Sequence, residues 1–227
     1  MEAIIKNESG FGYVAGTIKK ISKGTDRFSV TLEVPGREDP MEINFWNEKE
    51  KEGADRKPIA WADIAERKNP RVGSCVCAAV VFDKNDANKA SGRRMDYAGC
   101  FFSKETNGKN AIFGAASNIE RHTSKSGNDY ISINVYAGMN GKGEGAKPRN
   151  LKVSFFQYLD RIEEELKKIP EGKMGYILAN ITAPTTSEWE HPVTMELRTY
   201  ENCFGKSLKF IGVVPEKTKK GAVVETA

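Results

Sequence analysis

Histidine is almost missing from this chain and cysteine is scarce: 227 residues contain two histidines, His122 and His191, and four cysteines. Cys75 and Cys77 stand as C-x-C, not as the C-x-x-C of a zinc knuckle, and the histidines offer no matching half-site. So few ligands cannot be expected to hold a structural metal, and none is expected. All four cysteines, Cys100 and Cys203 included, lie in apolar, strand-like stretches, which suits reduced, buried thiols and a cytoplasmic setting. A run of about 18 apolar residues is also missing, so neither a membrane-spanning helix nor a membrane partner is expected. The opening residues MEAIIKNESG lack the basic-then-apolar order of a secretory signal. Catalytic patterns are absent too: there is no G-K-[ST] phosphate loop, no H-x-E with a cysteine pair, and no nucleophile at motif spacing from either histidine. The chain reads as one that binds rather than catalyses, with no catalytic residue and no cofactor. Charge of one sign is not in large excess either. The 35 Lys and Arg against 31 Asp and Glu leave +4, with a pI near 8.7. That permits a polyanionic partner without requiring one, so the distribution of charge has to decide.

What is present begins with GFGYV, Gly10 to Val14. It resembles the aromatic strand of an RNA-recognition motif, which lies third in that domain's sheet. Only nine residues precede Gly10, Ser9 replaces the basic residue and Gly16 replaces the last aromatic, so that reading fails. Phe11 or Tyr13 is expected instead to plug a barrel.

A repeat says more. GTIKKISKGTDRFSVTLEV (Gly16 to Val34) and SNIERHTSKSGNDYISINV (Ser117 to Val135) both read as strand, polar turn, strand. Ile18 matches Ile119, and Val30, Leu32 and Val34 match Ile131, Ile133 and Val135. A third strand follows each, MEINFW (Met41 to Trp46) and LKVSFF (Leu151 to Phe156). A helix follows each of those, over Trp61 to Lys68 and Tyr158 to Ile169; in the second, Leu159, Ile162, Leu166 and Ile169 recur at helical spacing. Glu163–Lys167 and Glu164–Lys168 are favourable i,i+4 pairs on its outer side. Proline and glycine in NPRVGS and IPEGKM then end the helix and turn the chain. Fourth strands run Cys75 to Phe82 and Tyr176 to Ala183, and fifth strands Arg93 to Phe102 and Val193 to Asn202. Ser207 to Val214 has no place in that plan and is expected to be an added edge strand or a packing element between the halves.

Five strands with one helix between the third and fourth is the layout of the OB-fold. RVGSCVCAAVVF and PEGKMGYILANI resemble the opening of the fourth strand in many OB-folds. The expected fold is mainly β: two tandem five-stranded OB barrels over 1–108 and 109–214, each with one helix between strands 3 and 4, and a short basic tail over 215–227. A sandwich or another small barrel is the alternative for such strands. The chain resembles tandem OB-fold proteins similar to single-stranded DNA-binding proteins. It departs from the bacterial ones at EKTKKGAVVETA (Glu216 to Ala227), which is not the acidic, Phe-ended tail by which those recruit partners.

Alternation along the strands selects a face. Ile43 and Phe45 point to the core, leaving Glu42, Asn44 and Trp46 outside; Leu151, Val153 and Phe155 leave Lys152, Ser154 and Phe156 outside. Tyr130 and Tyr136 join them on the second strand. Trp46, Phe156, Tyr130 and Tyr136 are therefore candidate stacking rings for unpaired bases, with packing under a helix the competing use. Phosphate contacts are expected from Lys19, Lys20, Lys23 and Arg27 between strands one and two, and from Lys84, Lys89, Arg93 and Arg94 between strands four and five, both sets on one rim. Arg121, Lys125 and Lys152 serve the second half. An ordinary solvated surface is the plain alternative for these cations. The last loop, TTSEWEHP, is acidic around Trp189, which suits a base or a protein contact. The first half is thus expected to hold the main site.

The face and the resemblance imply binding of single-stranded nucleic acid, DNA ahead of RNA, with little sequence preference. The implied setting is replication, recombination or repair, alongside other proteins of those processes. The alternative is a protein-interaction or assembly module, for which Ser207 to Val214 would offer a free edge.

Overall fold

A computed structural model describes residues 2–49, 57–101, 110–140, 145–190, 193, 195 and 197–215. The first half contains β1 (Ile4–Lys6), β2 (Phe11–Lys23), β3 (Arg27–Glu33), β4 (Met41–Trp46), α1 (Trp61–Arg67), β5 (Cys75–Phe82) and β6 (Lys89–Asp96). β2, β3 and β4 form an antiparallel meander. β6 lies parallel to β4 and antiparallel to β5, and β5 returns to β2, so five strands close into a ring. β1 folds back onto β2 outside it.

The second half contains β7 (Gly99–Phe101), β8 (Asn110–Thr123), β9 (Asp129–Asn140), β10 (Lys147–Phe155), α2 (Leu159–Leu166), β11 (Gly175–Ile181), β12 (Thr185–Glu190) and β13 (Leu197–Val213). Its ring runs β8, β9, β10, β13, β11 and back to β8. The architecture is mainly β, with two OB-type five-stranded barrels and a helix between the third and fourth strand of each. No helix among the described residues is long and apolar enough to cross a membrane.

Three boundaries differ from expectation. The first half's fifth strand stops at Asp96, and Gly99–Phe101 crosses over to pair with β8. In the second half Ser207 to Val213 is no added edge: it is the later part of β13, bonded along β11. The earlier part, with β12, makes a hairpin in place of the expected polar loop around Trp189. β13 is continuous because Tyr200, Asn202 and Phe204 alternate without a break against Glu201, Cys203 and Gly205. The GFGYV stretch lies inside β2, where Tyr13 is buried edge-to-face against Phe11 as a plug. The tail from Glu216 onward lies outside the described residues.

The barrels repeat more closely inside than the linear sequence suggests. In each, a phenylalanine near the end of the third strand lies over a glycine of the fifth, Phe45 over Gly92 and Phe155 over Gly205; a Cβ on either glycine would intrude into the ring. In each, a first-strand glycine lets the neighbouring backbone approach, Gly16 against the carbonyl of Glu33 and Gly114 against that of Tyr136. Those anchors match Gly16 with Gly114 and Phe28 with Ile131, since Phe28 pairs Phe45 and Ile131 pairs Phe155. The single offset expected from Ile18 and Ile119 therefore does not hold in space. The β8–β9 hairpin carries two extra rungs, His122 opposite Tyr130 and Thr123 opposite Asp129, beyond the rung that matches Lys23 and Phe28.

Alternate residues of β8 and β11 serve two cores. Ile112, Ile177, Ala179 and Ile181 fill the second barrel. Ala111, Phe113 and Leu178, with Ile211 of β13, join the first barrel's core, and Tyr176 stacks on Phe113 at 5.5 Å. At that seam a Cβ on Gly212 would stand 2.8 Å from the Cys75 sulfur. Burial pushes the Cys75 thiol up, with a Thr17 hydrogen bond opposing it.

Both helices close their barrels. Ile162 and Leu166 of α2 are buried. Glu165 fixes the helix to β13 by accepting from Lys209 Nζ at 2.8 Å and from the Phe210 N–H at 3.0 Å. Lys168 also turns to Glu165, at 2.6 Å, and not to Glu164 as its spacing suggested, whereas Lys167 does reach Glu163.

Candidate nucleic-acid interface

The pleat puts even-numbered residues of β9, β10 and the 200–204 part of β13 on the outer face of the second barrel. Odd-numbered Ile131, Ile133, Val135, Leu151, Val153, Phe155 and Cys203 are buried inside it. The same alternation in β4 buries Ile43 and Phe45 and leaves Trp46 outside. Trp46 is 48% exposed and Phe156 46%.

On the second barrel four rings form a continuous row. His122 of β8 stacks on Tyr130 of β9 with centroids 4.9 Å apart. Tyr130 stacks on Phe156, just past β10, at 5.0 Å. Phe156 meets Phe204 of β13 edge-on at 5.8 Å. Phe204 is 59% exposed, the most of any ring in the row. His122 is tied down by Ser132 Oγ at 3.0 Å and Glu120 Oε2 at 3.1 Å from its Nε2. Tyr136 lies on the same face, six residues and about 20 Å farther along β9. His122 and Phe204 were not singled out from the sequence. The signal for Phe204 was alternation running on through ENCFG; for His122 it was the extra length of the hairpin, which only the matched glycines reveal.

Among the described residues the first barrel presents one such ring, Trp46. At the place matching Tyr130 it has Arg27, whose guanidinium lies 5.5 Å over Trp46. At the place matching Phe204 it has Ser91. The longer run of described rings thus lies on the second half, whereas the loop cations had pointed to the first half for the main site.

The cations are more divided than expected. The β2–β3 turn sits beside Trp46, because Arg27 pairs with Trp46. The 83–88 loop sits at the other end of β4, where the Asn88 carbonyl accepts from the Glu42 N–H and Arg37 donates to Asn88 Oδ1 at 2.6 Å. Arg27, level with Trp46, is thus separated from Lys89, level with Glu42, by about 13 Å along β4, and the two sets do not share a rim. β6 then carries Arg93 and Arg94 back toward Trp46, and its bulge turns both outward; Arg93 lies 6.0 Å from the Trp61 ring. Several of these cations are paired: Lys19 with Glu33, Lys23 with Glu66, Lys89 with Asp86, Arg94 with Asp96, and Arg121 with Asp129 and Glu163. Lys20, Arg27, Lys84, Arg93, Lys125 and Lys152 have no ion pair among the described residues. Thr123 and Arg121 hydrogen bonds hold the Asp129 carboxyl, at the end of the hairpin that presents His122 and Tyr130, below its usual range.

No family model matches the chain, and no curated protein matches it. Solved structures similar to it include single-stranded DNA-binding proteins. The mitochondrial protein Rim1 of S. cerevisiae is 16% identical, over 46% of this chain and 95% of its own, with a TM-score of 0.29. The Plasmodium falciparum protein, solved in complex with single-stranded DNA, is 12% identical over 48% and 99%, with a TM-score of 0.30. The Thermus aquaticus protein is 9% identical over 91% and 94%, with a TM-score of 0.28.

Proposed function

We propose that the protein binds single-stranded nucleic acid, with DNA the expected polymer, along the outer face of the second barrel. The observation that carries this is the unbroken row His122, Tyr130, Phe156 and Phe204. Unpaired bases have bare π-faces, and stacking each on an aromatic side chain contributes about 1–3 kcal/mol. Duplex bases are already stacked, so the row favours strands without partners. Stacking accepts every base, which gives the row little sequence preference. Lys125, in the turn next to His122, and Lys152, about 13 Å along β10 from Phe156, carry no ion pair among the described residues and supply backbone contacts along the face. Trp46, with Arg27 over it and Arg93 nearby, makes a smaller accessory surface on the first barrel. Protection or presentation of an unpaired strand in replication, recombination or repair is the work such a surface suits.

Titration of the full chain with labelled oligo-dT at two salt concentrations tests this. Saturable binding that weakens as salt rises is expected, with log Kobs falling by roughly 0.7 per phosphate contacted for each decade of salt. Absence of binding at low salt would overturn the proposal. Competition between oligo-dT and oligo-U decides between DNA and RNA.

A further inference from the structure

The far end of the same face is lined by side-chain amides. Where β8, β9, β10 and β13 run side by side, a cleft of about 500 Å³ opens between Ser117, Asn118, Asn134, Asn150, Lys152 and Tyr200. Asn134 lies opposite both Ser117 and Lys152, and Asn150 lies opposite Tyr136. Asn118 stands in the β8 bulge with a left-handed backbone, φ +48°. The one carboxylate at the cleft, Glu201, is engaged by Arg149 through two hydrogen bonds of 2.7 Å. Those bonds hold its carboxyl below the usual range, so its charge is neutralised by the guanidinium. The carboxamides of Asn118, Asn134 and Asn150 have no hydrogen-bond partner among the described residues, and none has a polar atom sealed from solvent. Three amides converging without partners, beside two tyrosines, is not what a stacking surface needs, because rings and cations suffice there.

We infer that this cleft reads the edge of one unpaired base, and that the base is adenine. A carboxamide carries a donor and an acceptor side by side, the complement of the adenine N6 and N7 edge, and Asn is the side chain that pairs with that edge bidentately. Tyr136 and Tyr200 flank the cleft and offer π-faces to hold the base while the amides bond it. Asn134, Lys152 and Tyr200 stand four residues along their strands from Tyr130, Phe156 and Phe204, so the cleft lies about 13 Å from the aromatic row, a reach of a few nucleotides. One position of an otherwise indifferent strand is thereby selected. The inference rests on the proposed single-strand binding by this face.

The test uses short oligo-dT strands carrying a single dA, dC or dG, titrated into the full chain and read by fluorescence anisotropy. The dA strand is expected to bind at least roughly fivefold more tightly than all-dT, the lower end of what one bidentate contact discriminates. In N134L/N150L that advantage is expected to fall within about twofold while binding to all-dT and its salt slope stay unchanged. Equal affinity for all strands in the native protein, or an advantage that survives in N134L/N150L, overturns the inference and leaves the single-strand reading standing. A preference for dC or dG overturns the assignment to adenine. Failure of the native protein to bind any strand refutes the single-strand reading itself, and this inference with it.

Discussion

At the scale of single residues, the decisive contrast lies between rings that fill and rings that face out. Tyr13 and Phe155 fill, while Phe156, one residue beyond Phe155, stacks outward on Tyr130. Removing an outward ring should therefore cost binding and little stability. Phe156→Ala and Phe204→Ala are each expected to weaken oligo-dT binding by about 1–3 kcal/mol, read by anisotropy, with the thermal midpoint nearly unchanged. The glycines beneath the inward rings predict the reverse. Gly205→Ala forces a methyl group into the Phe155 ring, so a loss of about 1–3 kcal/mol is expected, a fall of roughly 2–4 °C in melting temperature per kcal/mol for a chain of this size. Scanning calorimetry checks it. A Gly205→Ala protein that melts like the native one would mean that the ring and glycine are not in contact.

At the scale of elements, α2 is held to β13 by one carboxylate. Burial alone would raise the Glu165 carboxyl, but hydrogen bonds from Lys168, Lys209 and the Phe210 N–H outweigh it and leave it below its usual range. A carboxyl lowered on folding adds stability above its unfolded value, near 4.3 for Glu. That contribution disappears as pH falls through the lower, folded value. Urea unfolding at neutral pH and near pH 3 is expected to show a smaller acid loss for Glu165→Gln than for the native protein. The strand–helix order and the inward and outward parity of β4 and β10 were legible in the sequence, because period-2 burial is a local pattern. The ends of β6 and β13 were not. A strand's partner decides where it ends, and Gly99–Phe101 finds its partner in the other half. The phenylalanine–glycine contacts were equally hidden, since they join residues far apart in sequence. The aromatic row was half legible: Tyr130 and Phe156 follow from alternation, while His122 and Phe204 depend on which strands become neighbours.

At the scale of the whole molecule, β8 and β11 are shared property, with one set of side chains in each core. Phe113, Leu178 and Ile211 leave water only when both barrels are present. Burying a side chain of this size contributes about 1.5–3 kcal/mol, so the halves are expected to melt in a single calorimetric transition. Two separate transitions in the native protein would show that the seam does not couple them. The paired interiors have a consequence for the exteriors. Since Phe45–Gly92 and Phe155–Gly205 set the same lattice in both halves, Arg27 and Ser91 occupy the addresses held by Tyr130 and Phe204 in the other half. The two barrels are one chassis with different panels, and a tyrosine and a phenylalanine transplanted to those two addresses would furnish the leaner barrel with a copy of its sibling's grip.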